Sequence, residues 1–220
     1  GKFTGCVLGA AVGDALGMPH ESGPSSLHKM KYGYRRAYRG HPNESLAAGQ
    51  YTDDTQMILL AGTLLADGKF TDDRYAVALR ELYSRGAMRF PDGTISAVFE
   101  HPARDKGNTG VKSTTAGCLP VAVPFALAYP DMSEACERAV RACNVTHTHP
   151  AAHAAVSTVV TLLYHSLHES PDPVGRAVTK AQAEDELLGG KIKNALALER
   201  DGMETETALL KIGNGVDVFQ

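Results

Sequence analysis

The sequence predicts an all-α protein. Apolar residues recur at helical spacing through most segments, sustained strand alternation is absent, and glycine and proline separate the helical segments. The chain has 220 residues, of which 43% are hydrophobic, so it can bury one sizeable core. We therefore expect a single compact multi-helix domain over residues 1–220.

The first predicted helix combines an apolar stripe with a ridge of glycines. Glycine costs roughly 1 kcal/mol relative to alanine in a helix interior, so we expect another helix or loop to approach the ridge closely. Asp14, on the same helix, is expected to hold a backbone amide. The stripe is Leu8, Val12, Ala15 and Leu16, and the ridge is Gly5, Gly9, Gly13 and Gly17.

An irregular stretch then runs to Gln50, and so long a loop is more often functional than idle. Beyond it, apolar spacing, caps and breakers predict the remaining elements in order. They are helices over 54–67 and 72–85, a loop over 86–112, a short helix over 117–129 kinked by Pro120 and Pro124, a helix from a Ser133 cap through Asn144, and helices over 150–168, near 176–188 and from about Glu204.

Composition argues against several classes of protein. The net charge is −3 and no long basic run occurs, so nucleic acid is an unlikely main partner. The longest apolar runs are too short to span a bilayer, and the N-terminus does not read as a signal peptide. The four cysteines form no CxxC pair and are typical of buried thiols in a reducing cytoplasm. We expect a cytoplasmic protein without a membrane partner.

A Thr-Asp-Asp triplet occurs twice, in "YTDDTQMILL" from Tyr51 and in "FTDDRYAVAL" from Phe70. Either copy could be a helix N-cap, and Gln56 even gives the first copy the spacing of a capping box. Lys69 and Arg74 flank the second copy, whereas no Lys or Arg lies between Arg39 and Lys69. Buried acids without a cation are costly, and a hard divalent cation would compensate them. We therefore predict a metal site at the first copy and a simple cap at the second.

Four segments in order make the chain resemble the ADP-ribosylglycohydrolase family, which includes the dinitrogenase-reductase-activating glycohydrolases. They are "GCVLGAAVGDALGMPHE" at 5–21, "YTDDTQM" at 51–57, "GCLPVAVPFAL" at 117–127 and "THTHP" at 146–150. The resemblance implies an all-α domain with two divalent cations, Mg²⁺ or Mn²⁺, in a central cleft. It also implies hydrolysis of the glycosidic bond between ADP-ribose and a protein side chain or a small acceptor.

The resemblance also implies roles for particular residues. Thr52, Asp53 and Asp54 match the metal-ligand motif, and Glu21 matches the acidic residue beside the substrate. Asp53, Asp54 and Glu21 are therefore the catalytic candidates. A histidine near bound ADP-ribose corresponds to His149. The loop expected to hold the diphosphate supplies Ser113, Thr114, Thr115, Gly117 and Cys118.

The chain departs from the family pattern in two places. Its loop reads "TTAGCLP" where members often read like "GNGAAMR", which bears on ribose and phosphate recognition. The second metal motif of the family, Asp-x-Asp-Thr, is not found, and we expect a chain truncated at its C-terminus. One alternative is therefore a catalytically impaired relative that binds ADP-ribose.

A second alternative is a P-loop enzyme, since "GNTGVKST" at 107–114 approaches that motif. It is one residue short before Lys112, and Val111 stands where the second glycine belongs. No strand precedes it, so the phosphate cradle of a true P-loop is not predicted. A zinc pair formed by His149 and His153 is conceivable, but the sequence offers no third ligand.

Overall fold

The computed structural model describes residues 1–21, 33–100, 110–213 and 217–219. These residues form ten α-helices, two short 3₁₀ segments and isolated bridges, with no extended strand among them. The all-α prediction is confirmed. The helices are α1 Lys2–Gly17, α2 Asp53–Ala66, α3 Asp72–Ser84, α4 Gly93–Glu100, α5 Ala122–Ala128, α6 Met132–Cys143, α7 Pro150–Leu167, α8 Pro173–Glu184, α9 Glu186–Arg200 and α10 Thr205–Ile212; the 3₁₀ segments are Met18–His20 and Ala116–Val121.

Helix α4 lies in a segment predicted as loop. It has only eight residues, too few for a periodic pattern to stand out, yet Ile95, Val98 and Phe99 are buried at helical spacing. The predicted helix near 176–188 is in fact two helices. Asp185 lies between them in extended backbone, and its carboxylate caps α9 by accepting from the Leu188 amide at 2.9 Å.

The cap of α6 was also misassigned. Asp131, and not Ser133, precedes the helix, and its carboxylate accepts from the Glu134 amide at 2.8 Å. The remaining helix predictions are confirmed within one or two residues. Pro150 opens α7 as predicted, and the proline-containing segment divides into a 3₁₀ turn followed by α5.

Helix α7 occupies the centre of the molecule and packs against α5, α6 and α8. Its contact face is built from alanines and valines, which allow close helix approach, and the larger core side chains come from the surrounding helices. Cys136 and Cys143 share the buried face of α6. No helix in the described part of the chain combines the length and the apolar character that crossing a membrane requires.

Helix α1 is oriented differently from the prediction. Leu8, Val12 and Leu16 are 60%, 42% and 37% exposed, and only Ala15 of the expected stripe is buried. A polar contact explains this orientation, because Asp14 hydrogen-bonds to the start of α2. Val12 and Leu16 lie two positions from Asp14 and therefore point to roughly the opposite side of the helix.

The glycine ridge of α1 is not covered by the described residues. A Cβ built on Gly5, Gly9, Gly13 or Gly17 would meet none of their atoms within 4 Å. The prediction that another segment approaches the ridge closely is therefore wrong for this part of the chain. Gly13 and Gly17 line an open cleft instead.

We expect Gly9→Ala to raise the free energy of unfolding by up to about 1 kcal/mol, because alanine favours the helix and its methyl group meets open space. Gly189→Ala is the matched control inside α9. Its Cβ would lie 2.3 Å from Cγ of Gln182, so we expect that variant to be destabilised. Urea denaturation of both measures the difference, and a destabilised Gly9→Ala variant would show that the ridge is covered.

Candidate functional site

The start of α2 is held by a carboxylate from α1. Asp14 Oδ1 accepts from the Thr52 amide at 3.0 Å and from the Thr52 hydroxyl at 2.9 Å. Its Oδ2 accepts from the Thr55 amide at 3.1 Å and from the Thr55 hydroxyl at 2.6 Å. Asp14 therefore caps α2 from another helix, and the prediction that it holds a backbone amide is confirmed.

The second Thr-Asp-Asp copy is a cap, as predicted. The Thr71 hydroxyl accepts from the Arg74 amide at 3.1 Å, closing the first turn of α3. The compensating cation differs from the expected one, because Asp72 pairs with Arg141 at 2.7 Å. Arg74 donates to the Lys69 carbonyl instead.

Gln56 does not form the capping box suggested by its spacing. Its side chain donates to the Ala87 carbonyl at 2.9 Å and accepts from the Arg89 amide at 2.7 Å. The Asp53 amide donates to the Arg89 carbonyl at 2.8 Å, so the loop before α4 is anchored on the start of α2. The guanidinium of Arg89 lies over the Tyr51 ring, 4.5 Å from its centroid.

Asp53 is buried and Asp54 is half-buried, and neither has a compensating cation among the described residues. No ion pair joins either of them to a Lys or Arg in the described part of the chain, and Arg89 is engaged with Tyr51. Burial, followed by the charge of Asp54, raises the pKa of Asp53 to about 9. Burial, followed by the charge of Asp14, raises the pKa of Asp54 to about 7. Without a cation, the Asp53 carboxyl is therefore mostly protonated at neutral pH, and a bound divalent cation would favour the ionised form of both acids.

Glu21 belongs to the same acidic group. Burial, and then the charges of Asp54 and Asp14, raise its pKa to about 7. Asn43 opposes this shift, since its side-chain amide donates to Glu21 Oε2 at 3.2 Å and favours the charged form.

Asp92 is a member of this group that sequence reasoning missed. It caps α4, with Oδ1 accepting from the Ile95 amide at 2.7 Å, and its Oδ2 accepts from the Thr115 hydroxyl at 2.5 Å. Its charge contributes to the raised pKa values of Asp53 and Asp54. The dipeptide Asp92-Gly93 reads as a turn, and only the N-cap pattern ahead of three apolar residues could have drawn attention to it.

His147 is buried near Asp92, and both side chains contact the Thr115 hydroxyl. Its Nε2 lies 2.7 Å from the Thr115 hydroxyl, and its Nδ1 lies 2.9 Å from the Thr146 hydroxyl. Because the one hydroxyl proton of Thr115 goes to Asp92, Nε2 of His147 must donate to Thr115. Burial lowers the pKa of His147, which favours this neutral form. The predicted His149 caps α7, where its Nδ1 accepts from the Ala151 amide at 3.1 Å.

The predicted diphosphate loop runs beside Asp92. The hydroxyls of Ser113 and Thr115 are both within hydrogen-bond distance of Thr94, and Thr114 donates to Asp217. A Cβ on Gly117 would lie 2.5 Å from Oδ2 of Asp92, so a larger residue there would displace this carboxylate from its hydrogen bonds with Thr115 and Ile95. Cys118 is buried, and its thiol lies 3.4 Å from the Thr115 carbonyl.

An open cleft of about 660 Å³ lies at this site. Of the predicted site residues, Glu21 and Asp54 line it, together with Ala116, Leu119 and Pro120 from the 116–120 segment. Asp53 and the predicted diphosphate residues are not among the lining residues of the cleft; the latter are Ser113, Thr114, Thr115, Gly117 and Cys118. Apolar side chains complete the cleft. The lining residues include Gly13, Asp14, Gly17, Glu21, Asp54, Ile58, Ala116, Leu119, Pro120, Val123, Val159 and Leu209.

The donors at the start of α2 suit a hard cation. They are carboxylate and hydroxyl oxygens, which Mg²⁺ and Mn²⁺ prefer, and no Lys or Arg of the described ranges forms an ion pair with Asp53 or Asp54. Within the described residues, however, no three His, Cys, Asp or Glu side chains are close enough together to form an ion site by themselves.

The surroundings of Lys112 do not form a P-loop. Residues 107–109 of that motif lie outside the described residues, and 110–115 contain no helix. Val111 makes an isolated parallel bridge with His147, and Lys112 is exposed. The strand and helix that a phosphate cradle requires are absent from the described part of this region.

Comparisons with known proteins identify the family of the chain. The family model for ADP-ribosylglycohydrolase matches residues 1–219. An uncharacterized protein of Archaeoglobus fulgidus is 33% identical over 98% of this chain and 72% of its own length. The ADP-ribosyl-[dinitrogen reductase] glycohydrolase of Rhodospirillum rubrum is 32% identical over 74% of this chain, although only 57% of that enzyme is covered.

A solved structure supports the fold. A chain of an ADP-ribosylglycohydrolase-related protein complex superimposes with a TM-score of 0.69, covering 99% of this chain and 82% of that one at 23% identity. The described residues form an all-α protein with an open cleft that is lined by the acids Asp14, Glu21 and Asp54. The chain belongs to the ADP-ribosylglycohydrolase family, as its motifs predicted.

We expect Asp14→Ala to destabilise the protein more than loss of an ordinary cap, because four donors on Thr52 and Thr55 lose their acceptor at once. Thr71→Ala is the control. It removes the matching cap of the second copy and should cost about 0.5–2 kcal/mol. Urea denaturation with an unchanged m-value measures both, and equal losses would contradict the special role of Asp14.

Proposed function

We propose that this protein is a divalent-metal-dependent hydrolase that cleaves the glycosidic bond between ADP-ribose and an acceptor. The observation that carries the proposal is the adjacent pair of buried Asp53 and half-buried Asp54, which no Lys or Arg among the described residues neutralises, with Asp54 lining an open cleft beside Glu21. Family membership supplies the reaction class.

Asp53 and Asp54 would hold the cation, with Thr52 as the further candidate donor. When bound, Mg²⁺ or Mn²⁺ would neutralise the carboxylates, orient ribose hydroxyls and acidify a bound water. The Thr52 hydroxyl already donates to Asp14, so it could offer only a lone pair. The family resemblance implies two ions, whereas the described acids offer ligands for one ion completed by water.

Glu21 is the proposed general base. Cleavage at the anomeric carbon of ribose passes through an oxocarbenium-like state, in which water forms a new bond to carbon as the acceptor leaves. A carboxylate whose pKa is about 7 can accept the proton of that water near neutral pH, and its negative charge also stabilises the positive ring. The proton finally resides on the acceptor or in solvent.

The 113–118 loop is proposed to hold the diphosphate through backbone amides. The hydroxyls of Ser113, Thr114 and Thr115 are already hydrogen-bonded within the protein, so they are poorly placed to serve as free donors. His149 is a further proposed contact for ADP-ribose. Its Nδ1 caps α7, so the contact would be made through Nε2.

The acceptor is proposed to be an ADP-ribosylated protein or a small ADP-ribosyl compound. The Rhodospirillum rubrum relative is named for an ADP-ribosylated protein substrate. The four cysteines are free thiols, three of them buried, which is consistent with the proposed cytoplasmic location.

A second candidate function is binding of ADP-ribose without turnover. It is favoured by one observation, the lack of a preformed group of three ligands among the described residues. Calorimetry with ADP-ribose, combined with product detection from ADP-ribosylated arginine and serine peptides, separates the two functions.

Hydrolysis should require Mg²⁺ or Mn²⁺ and should disappear after exhaustive chelation. Asp53→Asn or Asp54→Asn should lower the rate at least about 100-fold, because the cation and the reacting water lose their anchor. Calorimetry with Mn²⁺ alone should show weaker binding to both variants, a result independent of turnover.

Asp72→Asn and Asp73→Asn are the matched controls from the second copy. They should leave the rate unchanged and cost at most about 0.5–2 kcal/mol of stability. Equal catalytic losses from both copies, or full activity in the presence of chelator, would contradict the assignment of the site.

Lys112→Ala should weaken ADP-ribose binding only modestly, because the proposed diphosphate contacts are backbone amides of the 113–118 loop. We expect no ATP hydrolysis by the wild type. Isothermal titration with ADP-ribose and with MgATP makes the comparison. Tight MgATP binding that vanishes in Lys112→Ala would instead support the P-loop alternative.

A further inference from the structure

Residues 38–46 form a series of tight turns beside Glu21. The His41 amide donates to the Tyr38 carbonyl at 3.0 Å, and the Glu44 amide donates to the His41 carbonyl at 2.9 Å. Gly40 adopts a left-handed φ of 87°, and its amide donates to the Glu44 carboxylate at 2.7 Å. The segment is therefore shaped by its own hydrogen bonds.

This turn directs two buried side chains at Glu21. The Asn43 amide donates to Nδ1 of His41 at 2.9 Å, which fixes the tautomer with the proton on Nε2. That Nε2 donates to the Glu21 carbonyl at 2.8 Å. The Asn43 side chain donates to Glu21 Oε2 at 3.2 Å. His41 thus holds the backbone of Glu21 and Asn43 holds its carboxylate.

The other half of the Asn43 side chain has no hydrogen-bond partner. Its Oδ1 accepts no hydrogen bond, and water does not reach it because the residue is only 1% exposed. A buried acceptor without a donor destabilises a fold, and an apolar side chain of the same shape would avoid that cost. An asparagine at position 43 therefore fills this buried space less favourably than an apolar residue would, but it provides a donor for the Glu21 carboxylate.

We propose that His41 and Asn43 are positioning residues that hold the Glu21 carboxylate beside Asp53 and Asp54 for proton transfer. The proposal rests on the proposed role of Glu21 and extends the site to a turn that the family motifs do not include. Both groups are neutral donors, so they fix the carboxylate without neutralising it.

Kinetics of the full chain test the proposal, using whichever ADP-ribosylated arginine or serine peptide the wild type hydrolyses. Asn43→Ala should lower kcat by about tenfold or more and leave KM within about twofold, because the reacting group is displaced while substrate contacts remain. Gln50→Ala is the control. It removes another loop hydrogen bond, to the Ala47 amide, without touching Glu21, and should leave kcat within about twofold.

Substitutions of His41 provide a rescue. His41→Leu removes the donor to the Glu21 carbonyl and should lower kcat about tenfold, whereas His41→Gln offers an amide donor at a similar distance and should recover most of the rate. Thermal denaturation of each variant confirms that the compared proteins are folded. Equal rates for the two variants would overturn the role of His41.

A double-substitution cycle separates positioning from general loss of structure. If Asn43 acts through Glu21, Asn43→Ala should lower kcat less than about twofold in a Glu21→Gln background. The same loss in both backgrounds would mean that Asn43 only supports the fold, and unchanged kcat in the wild-type background would overturn the proposal directly.

A spectroscopic measurement does not depend on turnover. The side-chain amide of Asn43 should give a shifted, exchange-protected nitrogen–proton NMR signal that moves in Glu21→Gln and not in Gln50→Ala. A signal insensitive to Glu21→Gln would refute the contact. An inactive wild type with the expected signal would contradict the proposed function while leaving the Asn43–Glu21 contact established.

Discussion

The burial of Asp53 beside half-buried Asp54, at the start of α2, is the constraint on which the site depends. First-turn acids normally interact with the free amides of their own helix. Here Asp14 takes the amides of Thr52 and Thr55, and no Lys or Arg among the described residues pairs with Asp53 or Asp54. The raised pKa values express the cost of this arrangement. Helix α1 is oriented so that Asp14 reaches the start of α2, and this orientation exposes its apolar residues Leu8, Val12 and Leu16 to solvent.

The two Thr-Asp-Asp copies show how the same short motif acquires different roles. In the second copy the threonine caps its own helix and an aspartate pairs with Arg141 on α6. In the first copy the threonine donates to another helix, and Arg89, which contacts the start of α2, lies over the Tyr51 ring. Local sequence predicted this difference because the lack of nearby Lys and Arg was visible in the chain. The identity of the actual partners was not visible, since Asp14 and Arg141 are distant in sequence.

Much of the fold could be predicted for a similar reason. Helix spacing and caps are local properties, so α2, α3 and α7 were placed within a residue or two. Helix α4 was missed because eight residues give too little periodicity, and Asp92 was missed with it. The contacts of Asp92 with Thr115, and of Thr115 with His147, cross 23 and 32 residues of sequence. The predicted orientation of α1 was wrong, because hydrophobic spacing does not show that the contact of Asp14 with the start of α2 determines which face of the helix is buried.

The carboxylates of this site share one further property. Asp14 is held by amides and hydroxyls, Asp92 by an amide and a threonine hydroxyl, and Glu21 by an asparagine amide. All these donors are neutral. A lysine or arginine in their place would fix each carboxylate equally well, but it would also cancel the charge. Neutral donors give the acids defined positions and leave their negative charge unspent, and a site built in this way is suited to receive its positive charge from outside the chain, as a metal ion or as the oxocarbenium character of the reacting sugar.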